Sequence, residues 1–425
     1  MGAEIGGFTR CRRPAAVGTF AGFGLSTGLL FFASLAATPA MVAADGPVAW
    51  GAIALGQSVG AVSSLVVGYG WAMSGPSKIA RANLSERLKE YEDSVRVKLA
   101  LLLPGSACAA LVAAVLTPSH AAFAVAGAIS TTIVALTSNW YFAGLMRPYL
   151  CLVLETLPRV AGTVAGIVLM ILGYSAIIGL AFTSIGMITA FLVVTIWVYR
   201  SAGQAGVDRT PREKLARVLA SRRHGIASMV GTQVFFSLPL AIISVFSPAA
   251  QPVFALADRV RQLVSAGFSP VVVVYQGWVP SGADHGVEKR SRTALIATFA
   301  LAVLFASMFL PIGPTLMHQL GAGQIAVPQS VLILTALVIS FDLFNSVLAF
   351  AVMPSLDRLE IVTRATATSV LVMLPITLVG TLRFGATGAL AGVICGLVVR
   401  IAIEIAGATA PTRAQKRERF HDGIR

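Results

Sequence analysis

The sequence predicts an all-α integral membrane protein, with about twelve transmembrane helices in two pseudo-symmetric six-helix bundles. Composition is the first observation behind this. Of 425 residues, 56% are hydrophobic and 12% charged, and mean hydropathy is +0.82. Soluble domains carry about 25% charged residues, and no polar linker divides this chain. The second observation is a faint internal repeat. Val17-Gly18-Thr19 opens the first apolar segment, and Val230-Gly231-Thr232 sits early in the seventh. Ala54-Leu55-Gly56-Gln57-Ser58-Val59 lines up with Ala255-Leu256-Ala257-Asp258-Arg259-Val260, Pro148 with Pro354, and Arg159 with Arg364. Each match is short; their common order and near-constant offset carry the argument. The third observation is the placement of basic residues, taken up below.

Crossing a bilayer takes about 20 apolar residues. Taken in order, such runs lie near 15–40, 47–70, 97–117, 120–144, 157–174 and 176–199 in the first half. In the second half they lie near 225–247, 251–277, 294–312, 328–352, 364–381 and 386–407. Residues 1–205 are expected to form the N-terminal bundle, and residues 206–425 the C-terminal bundle with a basic cytoplasmic tail. Arg10, Arg12 and Arg13 ahead of the first run resemble a signal peptide. The run from Ala15 to Ala44 exceeds the roughly 7–15 residues of a signal core, so an uncleaved first helix is expected.

The net charge of +14 would suggest nucleic acid in a soluble protein. Here the basic residues sit between apolar runs, and no arginine–aromatic interleaving appears. With the N-terminus inside, the 32 Lys and Arg fall in cytoplasmic tails, loops or their edges, with four exceptions. Arg259, Arg261 and Arg400 lie within spans, and Arg383 lies outside. This is the positive-inside bias, and it predicts a multi-pass protein of the plasma (inner) membrane with both termini cytoplasmic. The loop 71–96 carries mixed charges from Glu86 to Asp93 and reads as a short surface helix or a solvated connector. The more basic loop 200–224 joins the halves and is expected to touch anionic headgroups. Cys11, Cys108, Cys151 and Cys395 have neither disulfide nor metal spacing, and no cofactor or metal is expected.

At the end of the fourth run, Asn139-Trp140-Tyr141-Phe142-Ala143-Gly144-Leu145-Met146-Arg147-Pro148 resembles the "WYF.G..RP" segment of polysaccharide flippases. Glu155-Thr156-Leu157-Pro158-Arg159 resembles the "(D/E)xxPR" start of their fifth helix. Ala255 to Arg261, followed by Ser269-Pro270, resembles their eighth. Together these are similar to Wzx-type O-antigen and polysaccharide flippases of the multidrug/oligosaccharidyl-lipid/polysaccharide (MOP) superfamily. The resemblance implies a MATE-like pair of bundles around a cavity that faces each side in turn. It also implies a polyprenyl-pyrophosphate-linked oligosaccharide as substrate, moved from the inner to the outer leaflet. Implied partners are that lipid-linked oligosaccharide, membrane lipid, and the polymerase and glycosyltransferases of the same pathway. One departure stands out: related lipid II flippases carry basic residues on the first helix, and the span 15–40 has none.

Ionisable groups inside spans are costly, at roughly 2.5–3.5 kcal/mol on insertion scales, and are functional candidates by default. Asp258 and Arg261 share a face of the eighth span, while Arg259 points about 100° away. They read either as a cavity-facing pair, Arg261 for a sugar-phosphate and Asp258 for a coupling ion, or as an intrahelical ion pair. Asp342 lies near the middle of the tenth span with Asn345 and Ser346 on its face, and reads either as an isolated acid suited to proton coupling or as a neutral Asp hydrogen-bonded to a neighbouring helix. Arg400 and Glu404, four apart near the end of the last span, read as a structural pair snorkelling at the interface. Arg147, Glu155 and Arg159 flank the turn between the fourth and fifth spans. They read as phosphate contacts, since arginine forks match phosphate oxygens, or as positive-inside anchors. Trp140 reads as a sugar-stacking ring or as part of an interfacial belt.

No G-x-x-x-x-G-K-[ST] motif occurs, and no soluble domain offers a glycosyltransferase site, so the expectation is a transporter rather than an enzyme. A drug/cation antiporter of the same superfamily is the alternative, with a small-molecule substrate and an acidic cavity. A scaffold for a synthesis complex leaves the intramembrane charges without a role.

Overall fold

A computed structural model of the chain describes residues 16–204, 215–280, 286–356 and 358–409. Both tails, residues 205–214 of the loop 200–224 and the expected division at 205/206 lie outside the described residues. The chain forms two compact units, Met1–Val230 and Gly231–Arg425. Every regular element among the described residues is helical.

In the first unit α1 covers Ala16–Gly68, α2 Trp71–Arg81, α3 Leu84–Leu116, α4 Ala121–Thr132 and α5 Asn139–Leu145. The helices α6 (Pro148–Cys151) and α7 (Leu157–Ile171) are joined by a π-helical turn, Leu152–Thr156, and α8 (Ala176–Gln204) follows. Across the unit boundary, α9 spans Leu215–Phe246. In the second unit α10 is Gln251–Trp278, α11 Gly286–Leu320, α12 Gln329–Val347, α13 Met353–Ser355, α14 Leu359–Phe384 and α15 Ala386–Thr409. A second π-helical turn, Leu348–Val352, lies between α12 and α13.

Ten described stretches are long and apolar enough to cross a membrane. Two features bring this to the twelve crossings expected. The 28-residue α10 is long enough but carries Asp258, Arg259 and Arg261. The other is α1, whose 53 residues contain two crossings. A straight helix rises about 1.5 Å per residue, which would put Phe23 and Tyr69 about 69 Å apart. Both instead pack on one cluster with Trp71 and Trp140. The chain therefore reverses between them, at Gly46, where φ is 84° and ψ 170°. That backbone region is open essentially to glycine alone. Asp45 fixes the hairpin: its Oδ2 accepts from Ser175 Oγ at 3.0 Å and from the backbone N–H of Ala176 at 2.5 Å. It thereby places a negative charge at the N-terminus of α8.

The charged run Glu86–Asp93 is not a separate surface helix. A capping box between Asn83 and Glu86 starts α3 well before residue 97, so the run forms the first turns of the third span's own helix. The separate amphipathic helix is α2, which buries Trp71 and Ile79 and leaves Lys78 and Arg81 outside.

Small residues set the tightest packing, as expected where lipid tails remove the usual drive for helices to associate. A Cβ on Gly166 or Gly186 would meet backbone of the partner helix across α7–α8. The same holds for Gly380 and Gly388 across α14–α15. Each unit thus ends in a glycine-lined helical hairpin, in keeping with the internal repeat.

Candidate ion and substrate site

In the second unit, one stripe of α10 carries two buried charges. Asp258, Arg261, Gln262 and Ser265 recur at helical spacing, so all four reach one face. Arg261 Nε donates to Asp258 Oδ1 at 2.8 Å. Its Nη1 donates to Asp342 Oδ2 on α12 at 3.1 Å. Gln262 Nε2 donates to the other Asp258 oxygen at 2.8 Å, and Ser265 Oγ donates to Asp342 Oδ2, also at 2.8 Å. The guanidinium carbon lies 3.8 Å from the centroid of the Phe236 ring on α9, within cation–π range. One cation is thus shared by two carboxylates, all three buried. A cleft beside it is lined by Phe236, Phe254, Thr335, Val338 and Leu390.

This arrangement corrects the expectation for Asp342. It is not isolated, because Arg261 and Ser265 hold it. One arginine contacts both acids. Arg259 is partly buried and turned from the stripe, with Asp258 as an electrostatic neighbour.

Arg400 and Glu404 are also placed differently from expectation. Both side chains are 0% exposed, and Nε meets Oε1 at 3.2 Å. The pair does not snorkel, because their face of α15 packs inside the second unit, and Nη1, Nη2 and Oε2 have no hydrogen-bond partner among the described residues.

In the first unit, Arg147 sits exposed in the turn between α5 and α6. Arg159 Nη1 lies 3.4 Å from Glu155 Oε1, and Glu155 is buried within the π-helical turn. The sequence reading placed this pair at a surface turn; the widened turn instead carries the carboxylate inward. Trp140 is buried core rather than belt or sugar platform. It stacks on Tyr91 at 6.3 Å, meets Tyr141 edge-on, and covers Gly75. Sequence reasoning missed Lys98, which it assigned to a loop edge. Lys98 is 3% exposed, donates from Nζ to the Thr137 carbonyl at 2.7 Å, and stands 5.8 Å from the Trp140 ring. The signal was present: Tyr91, Ser94 and Lys98 fall at helical spacing on one buried stripe of α3. Gln262, Ser265 and Phe236 were also missed.

No protein-family model matches the chain, and no curated protein matches it in sequence. Solved structures do match in fold. An inward-facing multidrug resistance MATE family transporter of the MOP superfamily is 15% identical, with a TM-score of 0.65 over 89% of this chain and 93% of that one. A MATE protein in the straight conformation gives a TM-score of 0.54 at 15% identity, over 91% of this chain and 92% of that one. An outward-facing multidrug resistance MATE transporter gives 0.50 at 15% identity, over 93% and 96%. The chain therefore shares the fold of these MATE transporter structures.

Proposed function

We propose that this chain is a membrane transporter that works by alternating access, flipping a polyprenyl-pyrophosphate-linked oligosaccharide from the inner to the outer leaflet for cell-surface polysaccharide synthesis. The observation that carries the reading is Arg261, held between Asp258 and Asp342 at 2.8 and 3.1 Å beside a cleft. A guanidinium fork is the side chain best matched to phosphate oxygens. At rest its Nε and Nη1 are engaged by carboxylates, so an anionic headgroup competes with two carboxylates for one cation. Protonating a carboxylate weakens its hold and releases donors to the phosphate, which links proton uptake to substrate binding at a single residue. Arg147, exposed on the turn after α5, is proposed to meet the pyrophosphate first. Partners of the same pathway and the cytoplasmic placement of both termini belong to this proposal.

A drug/cation antiporter is the second reading, favoured by the multidrug transporters that share the fold. There the carboxylates take the cation once Arg261 swings away. Complementation of glycan export separates the two. Arg261→Lys keeps the charge but loses the fork, and export is expected to fall at least tenfold. Full export by Arg261→Lys would refute the phosphate role.

A further inference from the structure

The first unit buries a second charged cluster that the proposed mechanism does not use. Its members come from four places in the chain. Lys98 is on α3, Glu155 in the π-helical turn, Arg159 on α7, and the Thr137 carbonyl at the break between α4 and α5. Tyr91, two helical turns before Lys98, shares its hydroxyl with Thr195 of α8 at 2.9 Å and with Ser138 at 3.4 Å. Glu155 lines a small cavity with Thr137, Ser138 and Phe191; the backbone N–H groups of Ser138 and Asn139 face its carboxylate, whose Oε2 has no partner within hydrogen-bond distance among the described residues. Lys98 and Arg159 are its electrostatic partners.

Charge balance decides which group is exchangeable. Arg159 already neutralises Glu155 through the contact at 3.4 Å. The ammonium of Lys98 is therefore a surplus charge in a low-dielectric site, with a carbonyl as its hydrogen-bond partner. An uncharged amine still donates to that carbonyl, so losing a proton keeps the hydrogen bond, gives up the charge's attraction to the Trp140 ring and Glu155, and leaves the cluster neutral. Arginine stays protonated throughout. Asp93, buried on the same helix, is held by Arg96 at 3.5 Å rather than by Lys98. A metal ion is a poor alternative occupant, because Glu155 is the cluster's one carboxylate and Arg159 already pairs with it.

We propose that Lys98 is a proton-exchanging residue in the first unit, cycling between ammonium and amine beside the Glu155–Arg159 pair and supplying an ion-coupling site separate from Arg261. The exchanged proton passes between Nζ and solvent water admitted when the unit opens, since the resting cavity at Glu155 has no room for a water molecule. Both flanking segments are irregular, a π-helical turn and a broken span, and π-turns recur at functional sites. The repeat counterpart of the pair, Glu360 and Arg364, is exposed at a 3.7 Å separation, so burial with a lysine distinguishes the first unit.

Trp140 provides a reporter that needs no substrate, so this test stands apart from the proposed function. The purified full chain is titrated in detergent, and the pH-dependent emission lost in Trp140→Phe is followed. A sigmoidal change over the physiological pH range is expected in the native protein. Lys98→Arg, which keeps the charge permanently, is expected to be flat, and so is Lys98→Met. Glu155→Gln should move the midpoint, and Asp342→Asn should leave it in place. A flat native titration overturns the proposal, as does the same transition in Lys98→Arg or a response to sodium at fixed pH. If Lys98→Met fails to fold, Lys98→Arg alone decides.

Discussion

Replacing Arg261 by methionine removes the cation between Asp258 and Asp342 while filling much of the same volume. Two buried carboxylates then face one another with Gln262 and Ser265 as their donors. Removing one member of a buried ion pair costs about 3–5 kcal/mol, because the partner is left as an uncompensated charge. For a cooperative unit of this size, each kcal/mol lowers the melting temperature by roughly 2–4 °C, so a drop of roughly 6–20 °C is expected. Adding Asp342→Asn to Arg261→Met removes one of the orphaned charges and should restore a large part of that loss. The two substitutions should therefore be strongly non-additive, with a coupling of about 1–3 kcal/mol in a double-mutant cycle. Thermal melting of the four purified proteins in one detergent gives the cycle directly. Additive effects would refute the reasoning, since they would mean Arg261 and Asp342 do not share a charge balance.

Other consequences are as direct. Gly46→Ala forces a side chain into the backbone conformation that reverses α1 and should cost about 1–3 kcal/mol, read as lost thermal stability and lower membrane yield. Gly388→Ala drives a Cβ into the Gly380 carbonyl and should destabilise by about 1–3 kcal/mol. Gly24→Ala meets nothing and should be neutral. With native cysteines replaced, Gln204→Cys, at the exposed end of α8, should react with an impermeant thiol reagent only in inverted vesicles; labelling from outside intact cells would reverse the topology.

Apolar length alone made the twelve crossings legible in the sequence, because a bilayer demands about 20 residues whatever lies around them. The Gly46 hairpin was legible through its break in hydrophobicity, even though the helical geometry runs almost unbroken across it. The charged run Glu86–Asp93 misled, because a capping box can extend a span's helix into polar sequence. At the candidate site, the Asp258–Arg261 contact could be read from spacing on one helix. The Arg261–Asp342 contact could not, since it joins α10 to α12, 81 residues apart, and no periodicity reports it. Arg400–Glu404 had the right spacing, but periodicity does not say whether that face meets lipid, headgroups or another helix. Lys98 was hidden by position: at a span's edge, a basic residue looks the same whether it anchors the membrane or points into the bundle.

The most direct measurement follows substrate movement. The purified protein is placed in vesicles containing a fluorescent polyprenyl-pyrophosphate oligosaccharide, and its transfer between leaflets is timed with and without an imposed pH gradient. A fluorescent organic cation is assayed in parallel. The account predicts gradient-dependent flipping of the lipid-linked sugar, no cation transport, and loss of flipping in Arg261→Lys. Cation export against the gradient with no movement of the lipid-linked sugar would contradict it and assign the Asp258–Arg261–Asp342 site to a cation antiporter.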